Sequence, residues 1–302
     1  MNDDKYYVNY LKDRSKTVEN MLQRRMDEIT SEVPEQIKNA MEYSLMAGGK
    51  RLRPVMLMEA AKACGLENTD ETEPYVCAIE MIHTSSLIHD DLPAMDDDDL
   101  RRGRPTSHKV FGEAMAILAG DALLNHANEI MARYVCSATQ PRFAKAEYAI
   151  TRATGISGMI GGQTIDVLAE KEGLDIASEE LLTKIYSMKT CALLEGAVAA
   201  GAYIAGADEE TVCKWRRYAL YTGLAFQIVD DILDVEGDES VIGKPVGSDA
   251  DNNKPTFVTL MGLDGARAYA EKYTGQAKRI AEELGNAEFF VWLADFLCRR
   301  DR

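Results

Sequence analysis

Two clusters of aspartates lie in apolar, helix-like stretches of this 302-residue chain. Each cluster is an adjacent pair followed by a third aspartate: Asp90, Asp91 and Asp96 in the first, Asp230, Asp231 and Asp234 in the second. Carboxylates in apolar surroundings are costly to bury unless a cation neutralises them. Asp230 and Asp234 would stack one helical turn apart and could share a hard cation such as Mg²⁺. The clusters therefore predict a cavity that holds divalent cations and a phosphate-bearing ligand.

The first cluster has the wider spacing, and Asp96 would not fall on the same helix face as Asp90. Pro93 disfavours helix in the residues before it, so we expect the chain to loop out and return Asp96 towards Asp90. We expect the rest of the run, residues 97–99, to face solvent or to cap a turn. An EF-hand is excluded because its alternating ligands, central glycine and bidentate glutamate do not fall in register.

Basic residues accompany the first cluster and also precede it. Arg101 and Arg102 follow directly, and arginine forks onto phosphate oxygens. Lys50 and Arg53 lie three residues apart near a predicted helix start, where backbone N–H groups also favour an anion. The sequence has neither a P-loop nor a dinucleotide-binding glycine motif. Carboxylates for metal beside arginines for phosphate predict a clamp for a metal–diphosphate complex.

Helix signals dominate the elements that must position these residues, since period-two runs of β-branched residues are absent. Prolines punctuate three predicted helices: one from Pro34 to Met46, one with Pro54 in its first turn, and one from Pro74 through His89. About ten helices joined by short loops are expected. No linker of low complexity divides the chain.

The simplest architecture is one all-α domain, residues 1–302, formed by a large helical bundle around a central cavity. Four glycines between residues 155 and 162 sit inside one apolar segment and suggest tight packing or a ligand close to the backbone. The most apolar run, residues 191–207, contains Glu195 and is too short and too weakly hydrophobic for a membrane span. Its small residues favour close helix packing.

Composition restricts the partners and the compartment. The net charge of −16 argues against nucleic acid or an anionic membrane surface as a partner. Six cysteines occur without a C-x-x-C pair, and no apolar leader precedes them. This pattern is typical of free thiols in a reducing cytosol, so we expect a cytoplasmic protein.

The motifs and their order resemble the trans-prenyltransferases, the polyprenyl synthases that make short-chain products such as farnesyl and geranylgeranyl diphosphate. Besides the two aspartate clusters, the resemblance rests on Gly49-Lys50-Arg51-Leu52-Arg53-Pro54, Arg101-Arg102-Gly103, Gly161-Gly162-Gln163, Lys189-Thr190 and Phe226-Gln227. It implies an isoprenoid-synthase helical bundle, usually a homodimer. It also implies Mg²⁺-dependent head-to-tail condensation of isopentenyl diphosphate with an allylic diphosphate: dimethylallyl, geranyl or farnesyl.

The same resemblance implies roles for individual residues. About three Mg²⁺ would be held by both aspartate clusters, with Asp234 acting through water. The allylic diphosphate would be held by Arg101, Lys189 and Lys244, with Lys254 nearby. Isopentenyl diphosphate would bind without metal to Lys50, Arg53, His83 and Arg102. The allylic cation would be stabilised by the oxygens of Thr190 and Gln227. No histidine nucleophile is needed, so a structural role is expected for His89, His108 and His126.

Product length would be set in the helix before Asp90, where Ser85 and Ser86 lie about one turn upstream. Bacterial farnesyl synthases that resemble this chain usually carry an aromatic residue at the Ser85 position. Two small residues here predict that the product is farnesyl diphosphate, geranylgeranyl diphosphate or both. A deeper floor is expected at one of two places, Met81 with Ile82 or the stretch around Met115 and Leu118.

Three other readings of the sequence stay open. A class I terpene cyclase would share the metal chemistry, but it usually replaces the second aspartate motif and does not need the site at Lys50 and Arg53. A non-catalytic subunit of a heterodimeric prenyl synthase would typically lose one aspartate motif, and this chain has both. An acidic Ca²⁺-buffering protein would leave Arg101 and Arg102 unexplained.

Overall fold

The computed structural model of the chain describes residues 2–172, 178–236 and 255–299. Thirteen α-helices are found in these ranges: α1 (Asn2–Asp27), α2 (Glu35–Leu45), α3 (Leu52–Ala63), α4 (Glu73–Asp90), α5 (Ser107–Phe111), α6 (Glu113–Ser137), α7 (Pro141–Thr154), α8 (Met159–Glu172), α9 (Glu179–Tyr186), α10 (Ala192–Ile204), α11 (Glu209–Glu236), α12 (Phe257–Leu284) and α13 (Glu288–Cys298). A short 3₁₀ turn, Thr69–Thr72, precedes α4, and one π-helical turn, Ser187–Cys191, joins α9 to α10. The prediction of an all-α bundle is confirmed.

Prolines and capping residues fix several helix boundaries. Pro34 is the N-cap residue of α2, and Pro54 lies in the first turn of α3. Pro74 occupies the first turn of α4. Backbone N–H groups in a first turn have no acceptor within the helix, so the N–H that proline lacks costs no hydrogen bond there. Thr256 begins α12 with a capping box, in which its hydroxyl and that of Thr259 each accept the other's backbone N–H.

A two-stranded hairpin follows the aspartate loop, although the sequence predicted no strand. β1 (Leu100–Arg101) pairs antiparallel with β2 (Arg104–Pro105). The turn between them is Arg102-Gly103, and both residues have positive φ, 54° and 73°. Two positive φ values are what a type I′ turn requires, and this turn matches the natural twist of a hairpin. The hairpin places Arg101 and Arg102 at a defined position beside the end of α4.

Close contacts between helices depend on glycines. A Cβ on Gly201 of α10 would lie 2.1 Å from the carbonyl oxygen of Leu57 in α3. A Cβ on Gly196 would lie 2.7 Å from the Cβ of Ala153 in α7. The small residues of α10 therefore let its backbone approach both neighbours, as the sequence predicted. Within the described ranges, no helix combines the length and the apolarity needed to cross a membrane.

The glycine-rich stretch between residues 155 and 162 is not one continuous segment, contrary to the prediction. It contains the break between α7 and α8 and the first turn of α8. A Cβ on Gly158 would lie 2.0 Å from the carbonyl oxygen of Ala153, so the chain can turn this tightly only without a side chain. The break brings the start of α8 against the π-helical turn.

Candidate active site

A cavity of about 520 Å³ lies between α4, α6, α8 and the π-helical turn. One part of its wall is charged or polar and includes Arg53, His83, Asp90, Lys189 and Thr190. The lining also includes apolar residues, among them Leu124, Met159, Ile160 and Leu168. Ser85 and Ser86 lie along the α4 wall. A cavity lined by both charged and apolar residues suits a ligand that has a charged head and a hydrocarbon tail.

Asp90, the last residue of α4, lies at the polar part of this cavity. The chain loops after it, and the N–H of Asp96 donates to the carbonyl oxygen of Asp90 at 2.9 Å, the return that Pro93 predicts. The Nε2 of Gln163 in α8 donates to the Oδ1 of Asp90 at 2.9 Å. Burial, together with the nearby carboxylate of Asp96, raises the pKa of Asp90 to about 6. This carboxylate is therefore only partly compensated by the surrounding protein.

Asp91 is buried and is paired with the hairpin. The Nε of Arg101 donates to the Oδ1 of Asp91 at 2.9 Å, and the Nη2 of Arg101 contacts the same oxygen. Nη2 also donates to the Oδ2 of Asp98 at 2.9 Å. Burial raises the pKa of Asp91, and the Arg101 guanidinium opposes that effect. Arg101 and Asp91 form an ion pair with each other, so a ligand that bound to both side chains would have to break this pair.

A group of cations lies beside the cavity. The Nη1 of Arg53 lies 3.2 Å from the Nε2 of His83. Burial and the nearby Arg102 guanidinium lower the pKa of Arg53 to about 10, and Glu80 only partly opposes them. Burial and these arginines also hold the pKa of His83 well below its usual range, so its ring is neutral at pH 7. Cations that destabilise one another in a partly dry site favour binding of an anion.

The loop before α3 is held in a strained conformation beside this group. Gly48, Gly49 and Arg51 all have positive φ, and for arginine this conformation is unfavourable. The Arg51 side chain is fully buried and donates to Glu80 at 2.7 Å and to the carbonyl oxygen of Leu45 at 2.8 Å. This buried ion pair fixes the backbone on either side of Lys50.

The π-helical turn presents two consecutive residues to the cavity. Lys189 donates to the Oδ2 of Asp166 in α8 at 2.5 Å. The hydroxyl of Thr190 donates to the Oε1 of Gln227 in α11 at 2.9 Å. Both Lys189 and Thr190 line the cavity. Single π-helical turns are rare and often occur at functional sites. The Thr190–Gln227 hydrogen bond connects the cavity to the helix that carries the second aspartate cluster.

In that second cluster, Asp231 is buried and has protein partners. Its Oδ2 accepts the hydroxyl of Tyr186 at 2.7 Å and the backbone N–H of Phe257 at 3.0 Å. It therefore connects the end of α9 and the start of α12 to α11. Asp230 and Asp234 on the same helix are half-buried. The cluster thus lies where three helices meet.

Comparison with known proteins agrees with this geometry. Residues 34–287 match the family profile described as polyprenyl synthetase. The chain belongs to the polyprenyl synthetase family. The match covers most of the chain and includes the first aspartate cluster, the hairpin, the π-helical turn and the second aspartate cluster.

Individual members of the family resemble the chain over nearly its full length. The farnesyl diphosphate synthase of Bacillus subtilis (strain 168) is 44% identical over 297 residues, which are 97% of this chain and 98% of that protein. The chloroplastic geranylgeranyl pyrophosphate synthase of Catharanthus roseus is 42% identical and covers 91% of this chain and 77% of its own length. The crystal structure of a geranyltransferase from Legionella pneumophila superposes with a TM-score of 0.86 at 29% identity, covering 99% of this chain and 98% of that chain.

The residues of this polyprenyl synthetase are suited to divalent metal, although they do not form a ready-made site. Within residues 2–172, 178–236 and 255–299, no group of three or more His, Cys, Asp or Glu residues lies close enough to hold an ion. The available donors are carboxylate oxygens, which Mg²⁺ prefers. The raised pKa of Asp90 means that burial destabilises its ionised carboxylate, and a bound cation would stabilise that form. The Oε1 of Gln163, beside it, is buried without a hydrogen-bond partner in the described part of the chain.

Several predicted site residues are not at this cavity. Lys50 lines a different cavity, with α1 and α13. Lys244 and Lys254 lie outside the described residues. For the product-length floor, Met81 and Ile82 are fully buried in the core, while Leu118 is 53% exposed. The apolar lining of the cavity comes from other residues of α6 and α8, including Leu124, Met159 and Val167.

The three histidines with a predicted structural role contact the protein. The Nε2 of His89 lies 3.2 Å from the carbonyl oxygen of Ile117, although the ring also lines the cavity. His108 is buried beside Thr106, and His126 lies 3.1 Å from Glu129.

Sequence reasoning gave no role to three residues that the structure places at the site. Gln163 holds Asp90, Asp166 holds Lys189, and Tyr186 holds Asp231. Asp166 carried a usable signal because it is a lone acid between Ile165 and Val167. A carboxylate in such apolar surroundings needs a partner.

Proposed function

We propose that the chain catalyses head-to-tail condensation of isopentenyl diphosphate with allylic diphosphates, producing farnesyl diphosphate, geranylgeranyl diphosphate or both. The observation that carries the proposal is the cavity of about 520 Å³, whose lining combines charged residues such as Asp90, Arg53 and Lys189 with apolar residues such as Leu124 and Met159. Family membership supports the same reaction, because the relatives above are named as farnesyl and geranylgeranyl synthases. Residues 1–302 would form one catalytic domain.

The allylic diphosphate would bind at the polar part of the cavity, beside Asp90 and Lys189. About three Mg²⁺ would be held there by the two aspartate clusters: Asp90, Asp91 and Asp96 with Asp230, Asp231 and Asp234. When bound, Mg²⁺ neutralises the negative charge that develops on the departing diphosphate. Arg101 would exchange its contact with Asp91 for a phosphate oxygen, since guanidinium binds both groups in the same forked geometry. Lys244 and Lys254 would add positive charge.

Isopentenyl diphosphate would bind to the cations around Arg53. Arg53, Arg102 and the loop at Lys50 are adjacent, and a diphosphate would relieve the repulsion that lowers the pKa of Arg53. The neutral His83 ring can donate a hydrogen bond without adding charge. This group has enough positive charge to bind the diphosphate without metal.

The chemistry needs stabilisation of charge and does not need a protein nucleophile. Loss of diphosphate leaves an allylic cation in an apolar cavity, close to the oxygens of Thr190 and Gln227. Oriented oxygen dipoles in a water-poor site stabilise such a cation without reorganising. The double bond of isopentenyl diphosphate then attacks, and the proton that is lost passes to the departing diphosphate.

The test is incubation of the purified chain with isopentenyl diphosphate, Mg²⁺ and each allylic starter, followed by product analysis. We expect the products to be allylic diphosphates longer than the starter. We expect Asp90→Ala to lower kcat at least 100-fold. Asp264→Ala is the matched control because Asp264 is fully exposed and is not among the residues that line the cavity. Release of a cyclised hydrocarbon would support a terpene cyclase instead, and absence of turnover would support a non-catalytic subunit.

Product length would be limited along the α4 wall. Ser85 is buried at the cavity, and the Ser86 hydroxyl is turned back onto the carbonyl oxygen of His83 at 2.9 Å. Ser85→Tyr would place a ring across the channel and shorten the product. Ser137→Tyr, at the exposed end of α6, is the control. An unchanged chain length for Ser85→Tyr would show that the limit lies elsewhere, for example at Leu124.

We further propose that the chain is a cytoplasmic homodimer. Large apolar side chains are exposed on α6, where a second copy could cover them: Ile117 and Leu118. Exposed apolar patches of this kind often mark protein interfaces. Sedimentation should give a dimer, and Leu118→Lys should shift it towards monomer. A wild-type monomer at micromolar concentration would refute the proposal.

A further inference from the structure

The hairpin contributes one arginine to each of the two proposed diphosphate sites. Arg101, at the end of β1, is paired with Asp91 beside the allylic site. Arg102, in the turn, contacts the carbonyl oxygen of Gly48, and a Cβ on Gly49 would lie 2.8 Å from the Arg102 guanidinium. The two arginines are adjacent in the chain. The position of the hairpin therefore determines where both guanidinium groups lie.

The hairpin is too short to fix its own position. Each strand has two residues, and an isolated two-stranded hairpin is at best marginally stable in water. Its turn contains Arg102 at a φ of 54°, which is unfavourable for arginine. At its base, the hydroxyl of Thr106 donates to the carbonyl oxygen of Asp98 at 2.8 Å. Contacts with the rest of the protein must therefore hold the two strands in place.

Tyr43 of α2 contacts both residues of the second strand. Its hydroxyl donates to the carbonyl oxygen of Pro105 at 2.8 Å. The guanidinium carbon of Arg104 lies 4.3 Å from the centroid of the Tyr43 ring, within the range of a cation–π interaction. Phe111 of α5 packs edge-on against the same ring, with the centroids 5.4 Å apart. β2 is thus attached to α2, the helix that leads into the loop at Gly48.

The contact with the ring also separates two like charges. Arg104 is directly opposite Arg101 in the hairpin, and directly opposite side chains lie on the same face. Arg101 pairs with Asp91 and Asp98, whereas Arg104 lies over Tyr43. A guanidinium released from the ring would be attracted to the same two carboxylates and would compete with Arg101. The ring attracts Arg104 and carries no net charge, so it holds this cation without adding a negative charge near the diphosphates.

We propose that Tyr43 is a positioning residue for both substrates: by holding β2, it places Arg101 at the allylic diphosphate and Arg102 at isopentenyl diphosphate. The inference rests on the proposed function, because it takes these two arginines as diphosphate ligands. Tyr43 is not among the residues that line the cavity of about 520 Å³. The two binding sites therefore share one support that touches neither substrate.

The test is a calorimetric measurement of the binding of each substrate alone, isopentenyl diphosphate without Mg²⁺ and geranyl diphosphate with Mg²⁺. Tyr43→Leu removes the hydrogen bond and the cation–π contact, and it should weaken both affinities about three- to ten-fold. Tyr43→Phe keeps the ring and should recover most of both affinities. In an Arg102→Ala background, Tyr43→Leu should weaken the binding of geranyl diphosphate alone. In an Arg101→Ala background, it should weaken the binding of isopentenyl diphosphate alone.

Tyr203→Leu is the matched control because it removes the same two kinds of contact elsewhere. The Tyr203 hydroxyl donates to Glu209 at 2.7 Å, and the Nζ of Lys145 lies 5.4 Å from the centroid of the Tyr203 ring. Tyr203 is buried in the core, so this variant should lose at least as much stability in urea as Tyr43→Leu. It should nevertheless bind both substrates like the wild type.

An unchanged affinity for either substrate in Tyr43→Leu would overturn the inference. Weaker binding of isopentenyl diphosphate when Tyr43→Leu is added to Arg102→Ala would also overturn it, since Tyr43 would then act through the fold as a whole. A wild-type protein that binds neither substrate would instead refute the proposed function.

Discussion

Gly162 of α8 is the position where one added methyl group should separate the two walls of the active site. A Cβ there would lie 2.2 Å from the backbone nitrogen of Lys189 and 2.6 Å from the carbonyl carbon of Met188. These distances are roughly 1 Å too short for non-bonded atoms, and backbone cannot rotate away as a side chain can. Gly162→Ala should therefore push α8 from the π-helical turn and stretch the 2.5 Å contact between Lys189 and Asp166.

The expected effects on rate and stability can be estimated separately. Overpacking of this kind should lower the free energy of unfolding by about 1–3 kcal/mol. A displacement of roughly 1 Å at groups that hold substrate should reduce kcat by about 100-fold. Urea unfolding and a condensation assay measure the two quantities. At 25 °C the folded form of the variant should still predominate. The loss in kcat should therefore come from the displaced active-site groups and not from unfolding.

Gly275→Ala in α12 is the matched control for this prediction. It adds the same methyl group to another helical glycine, and nothing lies within 4 Å of the new atom. Alanine is favoured over glycine inside a helix, so this variant should gain up to about 1 kcal/mol and keep the wild-type rate. If Gly162→Ala had the urea midpoint of the wild type and a kcat within two-fold of the wild-type value, the reasoning from backbone contact would be wrong.

Two further predictions concern buried charge. Glu80→Gln should leave the fully buried Arg51 poorly compensated and cost about 3–5 kcal/mol in urea unfolding, whereas Glu129→Gln, which breaks the exposed pair with Arg133, should cost less than about 1 kcal/mol. Similar losses in both variants would contradict this. Burial raises the pKa of Glu195 to about 7 from an ordinary 4.5, so the folded state disfavours its ionised form. Wild-type stability should fall as pH rises from about 4.5 through about 7 and then level off, and Glu195→Gln should be more stable than wild type at pH 8.5 by up to roughly 3 kcal/mol but equal to it well below pH 4.5. Equal stability at pH 8.5 would refute the assignment.

Local chemistry made much of the fold predictable. Prolines act within one helical turn, so Pro34, Pro54 and Pro74 marked where α2, α3 and α4 begin. The loop at Pro93 was predictable for the same reason. These effects depend on residues close in sequence, and therefore they need no knowledge of the tertiary structure.

The parts of the site that depend on contacts between distant residues were not predictable. The π-helical turn at Lys189 has no characteristic amino-acid composition that would predict it, and its backbone packs against Gly162 of α8. The positive φ at Arg102 is unfavourable for arginine, and the hairpin and the contact with Gly48 hold it. In each case a residue far along the chain overrides the local preference.

Two charged groups of the site, Asp90 and Arg53, have neutral hydrogen-bond partners, in contrast to the ion pairs that Arg101 forms with Asp91 and Lys189 forms with Asp166. Asp90 is held by the amide of Gln163, and Arg53 by the neutral ring of His83. Neither neutral partner supplies a compensating charge, and burial keeps both pKa values shifted towards the uncharged forms. Had these partners been ionic, the groups would be equally ordered, but a cation or a diphosphate would first have to displace a buried counter-ion. Neutral partners fix the direction of each charged group and leave its charge for the ligand, so binding relieves an unfavourable charge in the protein.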